Sequence, residues 1–353
     1  MSDPTEAFAQ MWRWFATHCH GYSPLYEHIS LAIADDRALL DDVRAAPPSA
    51  HLPPALLAAV HYLLLDGAEH PLADVYAGRS DADPGPLFLD ICRSRRADIM
   101  AILAVRHIQT NECGRSAVIV PALTWLAARL DAPYSLIDVG ASAGLNLLCD
   151  RYRIDYGTRG ATGPEDSPVK IACRIVSGDP PIPERVPPFA SRVGIDRSPI
   201  DLTDPDDERW LLACVWPDTG RLEHTKAAIK LAQSDPPRVV TGDATPTLAE
   251  VLTELDEGAI AVIITTWAFA YLSTEDRKEF MMLLDRASQI RDIAWLSAEA
   301  VGTVEPFADQ AAPDDDQGTS NILGAILFKG GERHPQLLGY VQEHGGWIDW
   351  RAT

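Results

Sequence analysis

Apolar side chains in the first third of the chain recur every three or four positions, as on one face of a helix. Phe8, Met11 and Phe15 show this spacing clearly. Helices are predicted over Pro4 to Cys19, Ser23 to Ala34, Pro53 to Gly67, Leu87 to about Ile108, and Arg115 to Leu130. No strand pattern precedes Ser135, so we interpret residues 1–131 as an all-α cap domain.

From Ser135 onward, short apolar runs alternate with helical segments. Strands are predicted over Ser135 to Val139, Arg192 to Asp196, Arg238 to Thr241, Ala259 to Thr265, Ile293 to Ala298, Ile322 to Phe328, and Trp347 to Trp350. A helix is predicted from Pro335 to His344, and a β-hairpin insertion near residues 152–177. Because alternating strands and helices build a parallel sheet, we predict an α/β, Rossmann-like domain over residues 132–353.

The stretch from Ser135 to Asn146 is central to this domain. Its strand is followed by Gly140 and Gly144, which predict a tight turn, and by Leu145, where a helix is predicted to begin. Doubly wound folds bind ligands at the carboxyl ends of such strands. The turn is therefore either a nucleotide-binding loop or a strand-to-helix connection that needs glycine for its geometry alone.

The spacing of the glycines indicates which nucleotide such a loop would bind. A dinucleotide fingerprint requires glycine where Ser142 and Leu145 stand, which disfavours a dehydrogenase. Asp138, Gly140 and Gly144 instead fit the loop of class I S-adenosylmethionine-dependent methyltransferases, with Ser142 at the middle glycine position. The sequence resembles that loop, in which the Asp138 carboxylate would receive the methionine ammonium. The cofactor residues predicted here are Asp138, Gly140, Ala141, Ser142, Gly144 and Asn146.

Two later strands end in acidic residues that suit the rest of an adenosyl ligand. Asp196 ends its strand and is our choice for the ribose hydroxyls, whereas Asp155 lies nearer to the usual sequence interval and is the alternative. Asp243, with Ala244 beside it, is placed to accept from the adenine amino group. Its side chain is equally suited to cap the following helix.

In class I methyltransferases, which the glycine loop resembles, the methyl acceptor faces the end of the fourth strand. The resemblance implies an acceptor pocket at Thr266 and Trp267, which end the most apolar strand, with Tyr271 nearby. The Asn/Asp-Pro-Pro-aromatic signature of amide N-methylation is absent from the sequence. The polar segment Gln109 to Arg115 could offer Asn111 and Arg115 to a ligand. Alternatively, it is an ordinary solvent-exposed link between two helices. An acid/base residue cannot be assigned, and the candidates are Glu112, His107 and Glu299.

Composition excludes several classes of function. A formal net charge of -21 disfavours nucleic acid and anionic membranes as partners. The six cysteines are scattered, and His18-Cys19-His20 does not place its side chains on one helix face, so no metal site is predicted. The N-terminus lacks signal-peptide features, which favours the cytoplasm. Residues 302–320, including Asp314 to Asp316, are predicted to form a solvated acidic loop.

Several phrases together are similar to a bacterial family known as a domain of unknown function, which resembles class I methyltransferases in its α/β half. They are Q-T-N-E-C-G-R at 109–115, D-V-G-A-S-A-G-L-N at 138–146, G-I-D-R-S-P-I-D-L-T-D-P-D-D at 194–207, W-L-L-A-C-V-W-P at 210–217, and V-V-T-G-D-A at 239–244. The resemblance implies a sheet of about seven strands whose last pair is antiparallel, and an S-adenosylmethionine site. It implies no substrate.

We therefore expect an S-adenosylmethionine-dependent methyltransferase that acts on a small molecule. The alternative is a non-catalytic, methyltransferase-like module that binds a nucleoside or a protein partner. The two differ in whether cofactor chemistry is needed for the cellular role. The sequence leaves the acceptor and the oligomeric state open.

Overall fold

A computed structural model of the chain describes residues 3–130, 132–311 and 320–353. The chain forms two compact units, one of Met1–Thr110 with Thr203–Lys226, the other of Asn111–Leu202 with Ala227–Thr353. This division differs from a boundary near residue 131, because residues 111–130 belong to the second unit and residues 203–226 to the first. Asp314 to Asp316 of the predicted acidic loop lie outside the described residues.

The first unit is helical and has its own apolar core, in which Trp12, Tyr26 and Phe88 are fully buried. Proline and a capping side chain start several of its helices; Asp3, for example, accepts from the backbone N–H of Thr5. The α-helices of the described residues are α1 (Pro4–Cys19), α2 (Pro24–Asp35), α3 (Arg37–Arg44), α4 (Pro53–Leu65), α5 (Leu72–Tyr76), α6 (Pro84–Ser94), α7 (Arg96–Val105), α8 (Ser116–Ala127), α9 (Pro205–Ala213), α10 (Leu222–Ser234), α11 (Ala244–Glu254) and α12 (Thr274–Ala287). The single helix predicted from Leu87 to Ile108 is thus two helices, α6 and α7, which meet at Arg95.

The second unit is built on a large mixed sheet. The strands are β1 (Tyr134–Val139), β2 (Arg153–Asp155), β3 (Ala161–Thr162), β4 (Lys170–Ala172), β5 (Arg174–Ser177), β6 (Ser191–Asp196), β7 (Val239–Thr241), β8 (Ile260–Thr266), β9 (Ile293–Ala300), β10 (Ser320–Lys329), β11 (Glu332–Gln342) and β12 (Trp347–Trp350). Within the described ranges, nine strands form this sheet in the order β5-β12-β11-β10-β9-β8-β1-β6-β7. The α/β class predicted from the sequence is therefore confirmed.

Strands β7, β6, β1, β8 and β9 run parallel to one another. Strand β1 lies in the middle of them, because it pairs with β6 on one side and with β8 on the other. The chain thus leaves β1 toward one side of the sheet first and returns to build the other side later. In open α/β sheets this reversal opens a crevice at the carboxyl ends of the strands, where ligands bind.

The far edge of the sheet differs from the prediction. Residues 332–342 form strand β11, which pairs with β10 and β12, so the helix predicted from Pro335 to His344 is wrong. The described sheet has nine strands instead of about seven, and β10, β11 and β12 form an antiparallel meander. Within the predicted hairpin near residues 152–177, β2 pairs parallel with β4 and antiparallel with β3 in a three-stranded sheet, whereas β5 joins the large sheet beside β12.

One face of the large sheet buries an apolar cluster that includes Ile137, Val139, Phe280 and Trp295. Because side chains alternate along a strand, Asp138 points to the opposite face from Ile137 and Val139. None of the helices in the described ranges is long and apolar enough to cross a membrane.

Candidate functional site

The segment after β1 is a tight turn with an unusual backbone. Gly140, Ser142 and Gly144 have φ angles of 85°, 52° and 75°. The N–H of Gly144 donates to the carbonyl of Ala141 at 2.7 Å. Residues 141–144 thus form a hydrogen-bonded β-turn with Ser142 at its second position. Serine is held here in a conformation that favours glycine, which marks the position as one that the surrounding structure enforces.

Glycine is needed in this turn for close packing as well. A Cβ atom on Gly140 would lie 2.3 Å from the Cβ of Ala268, and one on Gly144 would lie 2.7 Å from Pro237 Cγ. The helix predicted to begin at Leu145 is a 3₁₀ segment, Leu145–Arg151, with a kink at Leu148. The turn therefore leads into a short, compact segment and not into a long helix.

Asp138 lies directly before the turn and is buried, with 1% of its surface exposed. Burial raises the pKa of its carboxyl group to about 7, because ionisation there lacks water. The guanidinium of Arg115 opposes this rise in pKa, and the carboxylate of Asp196 adds to it. Asp138 therefore sits within the electrostatic reach of both residues.

Four buried polar atoms near the carboxyl ends of β1 and β8 have no hydrogen-bond partner among the described residues. We call them the open polar groups: Asp138 Oδ2, Ser142 Oγ, Asn146 Oδ1 and Trp267 Nε1. Buried polar atoms are nearly always paired in folded proteins, and exceptions call for a bound water or ligand. The open polar groups therefore indicate a place where a polar ligand fits.

Asp196 ends β6, as predicted, and connects two loops. Its Oδ2 accepts from the backbone N–H of Ser142 at 2.7 Å, and its Oδ1 accepts from that of Ser198 at 2.9 Å. The alternative ribose ligand, Asp155, lies in β2 of the small sheet and accepts from the N–H of Gly157. Asp196, not Asp155, is thus attached to the glycine turn.

Asp243 stands at the start of α11 but makes no capping hydrogen bond. Its exposed carboxylate pairs with Arg197 Nε at 2.7 Å. The capping role that the sequence left open for this side chain is therefore not realised. Ala244, the other predicted adenine contact, is the first residue of α11 and is partly exposed.

The polar segment before α8 is buried and not solvated. Asn111 Oδ1 accepts from the N–H of Leu145 at 2.9 Å, so it holds the end of the glycine turn. Glu112 Oε1 accepts from the N–H of Gly114 at 2.8 Å. Arg115 donates through Nη1 to the carbonyl of Thr266 at 2.9 Å and through Nε to that of Glu343 at 3.1 Å. This segment connects the glycine turn, the end of β8 and the β11–β12 turn.

The segment after β8 contains the other predicted ligand residues. Thr266 is buried, Trp267 has a φ of 57°, and Tyr271 is 71% exposed. Glu299, predicted to follow a strand, lies within β9, and its carboxylate accepts from three successive backbone N–H groups of this segment. Burial raises the pKa of Glu299, and these N–H groups act in the opposite direction. Sequence reasoning treated Glu299 as an acid/base candidate and missed this anchoring role.

The other acid/base candidates differ in their surroundings. His107 is exposed and belongs to the first unit, where its carbonyl accepts from Trp210 Nε1 at 2.8 Å. Glu112 is 2% exposed and holds the N–H of Gly114. Among the described residues, neither His107 nor Glu299 makes a hydrogen bond to the glycine turn.

Two further features of the second unit have the form of a site. An open groove of about 570 Å³ follows the small sheet and β5, and of the predicted site residues it contains Asp155 alone. Gly140 to Gly144 also match the G-x-S-x-G spacing of a serine nucleophile after a strand. That chemistry requires a base on the serine hydroxyl, and among the described residues no hydrogen bond reaches Ser142 Oγ. The geometry therefore favours the ligand-binding turn.

Comparison with known proteins addresses the family and not the activity. No curated protein sequence matched the chain. Residues 9–350, nearly the entire chain, match a family described as "Uncharacterized protein conserved in bacteria (DUF2332)". The chain belongs to this bacterial family, as the sequence phrases predicted.

Proposed function

We propose that this protein binds S-adenosylmethionine at the carboxyl ends of β1, β6 and β7 and transfers its methyl group to a small molecule. The observation that carries the proposal is the set of open polar groups beside a glycine turn at the point where the strand order reverses. The groups include a buried carboxylate, an amide oxygen and a hydroxyl, all of which can accept hydrogen bonds from an ammonium.

Three carboxylates would hold the cofactor in this proposal. Asp138 pairs with the ammonium of the methionine portion, since an unpaired buried carboxylate gains most from a cation. Asp196, which accepts from the backbone N–H groups of Ser142 and Ser198, also accepts from the ribose hydroxyls, because a carboxylate has about four acceptor sites. Asp243 exchanges its exposed contact with Arg197 for the adenine amino group.

The chemistry asked of this chain is mainly positioning. The cofactor supplies an electrophilic methyl group on a sulfonium, and the chain holds the acceptor in line with it in a site with little water. Glu299 serves this purpose indirectly, since its carboxylate is occupied by backbone donors. An acceptor that loses no proton, or that loses it to solvent, suits such a site.

The alternative proposal is a non-catalytic module that binds a nucleoside or a protein partner. It is favoured by the contacts of the acid/base candidates, because Glu112 and Glu299 are both engaged with backbone N–H groups. For either function we expect a small-molecule ligand, no nucleic acid and no membrane surface, given the net charge of -21. All six cysteines are buried free thiols, which suits a cytoplasmic location.

Calorimetric titration of the full chain with S-adenosylmethionine, S-adenosylhomocysteine and NAD tests the proposal. We expect micromolar binding of the two adenosyl compounds and none of NAD. Binding of neither adenosyl compound contradicts the proposal, and binding of NAD alone would mean that the turn serves a dinucleotide. Binding without turnover on any amine, thiol or hydroxyl acceptor would favour the non-catalytic module.

A further inference from the structure

The backbone of Trp267 is in a conformation that a bulky aromatic residue rarely adopts. Its φ of 57° lies in the left-handed region, where the side chain crowds the backbone. Strain of this kind persists only where neighbouring contacts impose it, and it concentrates at functional sites. For Trp267, these contacts come from β9, through the carbonyl of Ala298 and the carboxylate of Glu299.

Glu299 holds the segment that follows Trp267. Its Oε1 accepts from the N–H groups of Ala268 and Phe269 at 3.1 and 3.0 Å, and its Oε2 accepts from that of Ala270 at 3.3 Å. The N–H of Trp267 itself donates to the carbonyl of Ala298 at 3.1 Å. A buried carboxyl group that accepts from three successive N–H groups fixes the path of this segment.

The anchor is extended by a second layer of hydrogen bonds. Thr265 hydrogen-bonds to Glu299 through its side chain, and its Oγ1 accepts from Trp295 Nε1 at 3.1 Å. Both Thr265 and Glu299 are about 1% exposed, so water does not compete for these contacts. Glu299 is thus a buried carboxylate whose role is to position the end of β8.

This anchored segment lies against the glycine turn. Ala268 is the residue that a Cβ atom on Gly140 would strike, so the two turns are in direct contact. Arg115 donates to the carbonyl of Thr266, and the positive charge of its guanidinium acts to lower the pKa of Asp138. Trp267 directly precedes Ala268, and its indole N–H, one of the open polar groups, is a buried donor with no acceptor among the described residues. A buried indole N–H normally has an acceptor.

We infer that Trp267 donates its indole N–H to the carboxylate of the amino-acid portion of the cofactor, and that Glu299 is the positioning residue for this contact. The inference rests on the proposed function. The ammonium and carboxylate of an amino acid share one carbon atom, so a donor for the carboxylate must lie close to the acceptor for the ammonium. Asp138 lies opposite Ile264 of the neighbouring β8, and Trp267 follows three residues later, so both residues lie at the carboxyl ends of adjacent strands.

The test compares two ligands that differ in the amino-acid portion alone. S-adenosylhomocysteine has the ammonium and the carboxylate, whereas 5′-methylthioadenosine keeps the nucleoside and the thioether without them. Calorimetry is performed on the full chain, on Trp267→Phe and on Glu299→Gln. Trp125→Phe is the matched control, because its indole in the same unit donates to the carbonyl of Thr353 at 3.3 Å.

We expect Trp267→Phe to weaken binding of S-adenosylhomocysteine about tenfold or more, as for loss of a hydrogen bond to a charged group. Binding of 5′-methylthioadenosine should stay within about twofold, and Trp125→Phe should change neither. Glu299→Gln should reproduce this selective loss. Its amide NH₂ replaces one carboxylate oxygen and cannot accept a hydrogen bond, so at least one of the three backbone N–H groups loses its acceptor.

An equal loss for both ligands, or no loss for S-adenosylhomocysteine, would overturn the assignment while leaving the proposed function intact. If the unaltered chain binds neither ligand, the proposed function fails first and the assignment fails with it. The ¹H–¹⁵N indole signal of Trp267, identified by its absence in Trp267→Phe, adds a check without ligand. It should move in Glu299→Gln, and an unchanged signal would contradict the positioning role of Glu299.

Discussion

The carboxylate of Asp196 accepts a hydrogen bond from the backbone N–H of Ser142 at 2.7 Å. This contact joins the end of β6 to the strained residue of the glycine turn, 54 positions earlier in the chain. Because its second oxygen accepts from Ser198, one side chain fixes the shape of both loops. A residue proposed to bind ribose is therefore also part of the structure that forms its own site.

Replacement of Asp196 by asparagine should affect stability and binding together. The amide oxygen can accept from one of the two backbone N–H groups, but the amide nitrogen cannot accept from the other. We expect the free energy of unfolding to fall by about 1–2 kcal/mol in urea titrations. S-adenosylmethionine and S-adenosylhomocysteine should both bind more weakly. Asp235→Asn, which alters an exposed pair with Arg151, is the control. Unchanged stability in Asp196→Asn would contradict the anchoring role.

The contact between Gly140 and Ala268 predicts a costly substitution that can be rescued. Gly140→Ala adds a Cβ atom 2.3 Å from that of Ala268 and also places alanine at a positive φ. Gly157→Ala is the control, because Gly157 has a similar φ of 63° and open space around it. Both should lose about 1–2 kcal/mol to backbone strain, and Gly140→Ala about 1–3 kcal/mol more to overpacking.

Ala268→Gly should restore most of the additional loss when it is combined with Gly140→Ala, since it removes the atom that clashes. Thermal or urea unfolding of Gly140→Ala, Gly157→Ala and the double variant, each compared with the unaltered chain, provides the measurement. Equal losses in Gly140→Ala and Gly157→Ala would show that the two turns are not packed together.

Asp138 should make the stability of the protein depend on pH. Its pKa is about 7 in the folded chain, with 3.8 as the ordinary value, while Arg115 and Asp196 act on it in opposite directions. Between these two values the folded state holds a proton that the unfolded state has lost. The contribution of Asp138 is therefore full below about pH 4 and is lost as the pH rises through about 7.

Asp138→Asn keeps the shape of the side chain without the charge, so it should increase stability above pH 7. The gain is on the order of 4 kcal/mol at most and should vanish near pH 4. Urea unfolding at pH 4.5, 6 and 8 measures it, and Asp235→Asn should show no such trend. A loss of stability at pH 8 in Asp138→Asn would mean that the folded chain stabilises the ionised carboxylate.

The sequence predicted the part of the fold that local signals determine. Strands β1 and β6 are short apolar runs that end at turn residues, and Asp196 ends its strand as expected. The same signals failed for residues 332–342. Leu337, Leu338 and Val341 have helical spacing, but pairing with β10 and β12 makes this segment a strand. Such pairing involves distant residues and overrides local propensity.

The site was predicted to a similar extent. The glycine turn and three acidic residues, Asp138 in β1, Asp196 at the end of β6 and Asp243 after β7, were singled out from residue type and spacing. The role of Glu299 was not, because it depends on the register of β8 and β9, in which Thr266 lies opposite Ala298. Single-sequence periodicity contains no information on that register. The positive φ values of Ser142 and Trp267 could not be predicted from the sequence either, since neither residue type favours a positive φ.

The most direct test of an adenosyl site at the ends of β1, β6 and β7 is calorimetric titration of S-adenosylhomocysteine into Asp243→Ala and Asp235→Ala. Both variants remove an exposed carboxylate that pairs with one arginine, so neither should lose more than about 1 kcal/mol of stability. We predict micromolar binding to the unaltered chain and to Asp235→Ala, and binding about tenfold weaker to Asp243→Ala. Equal affinities for all three, or no binding to the unaltered chain, would contradict the proposed site.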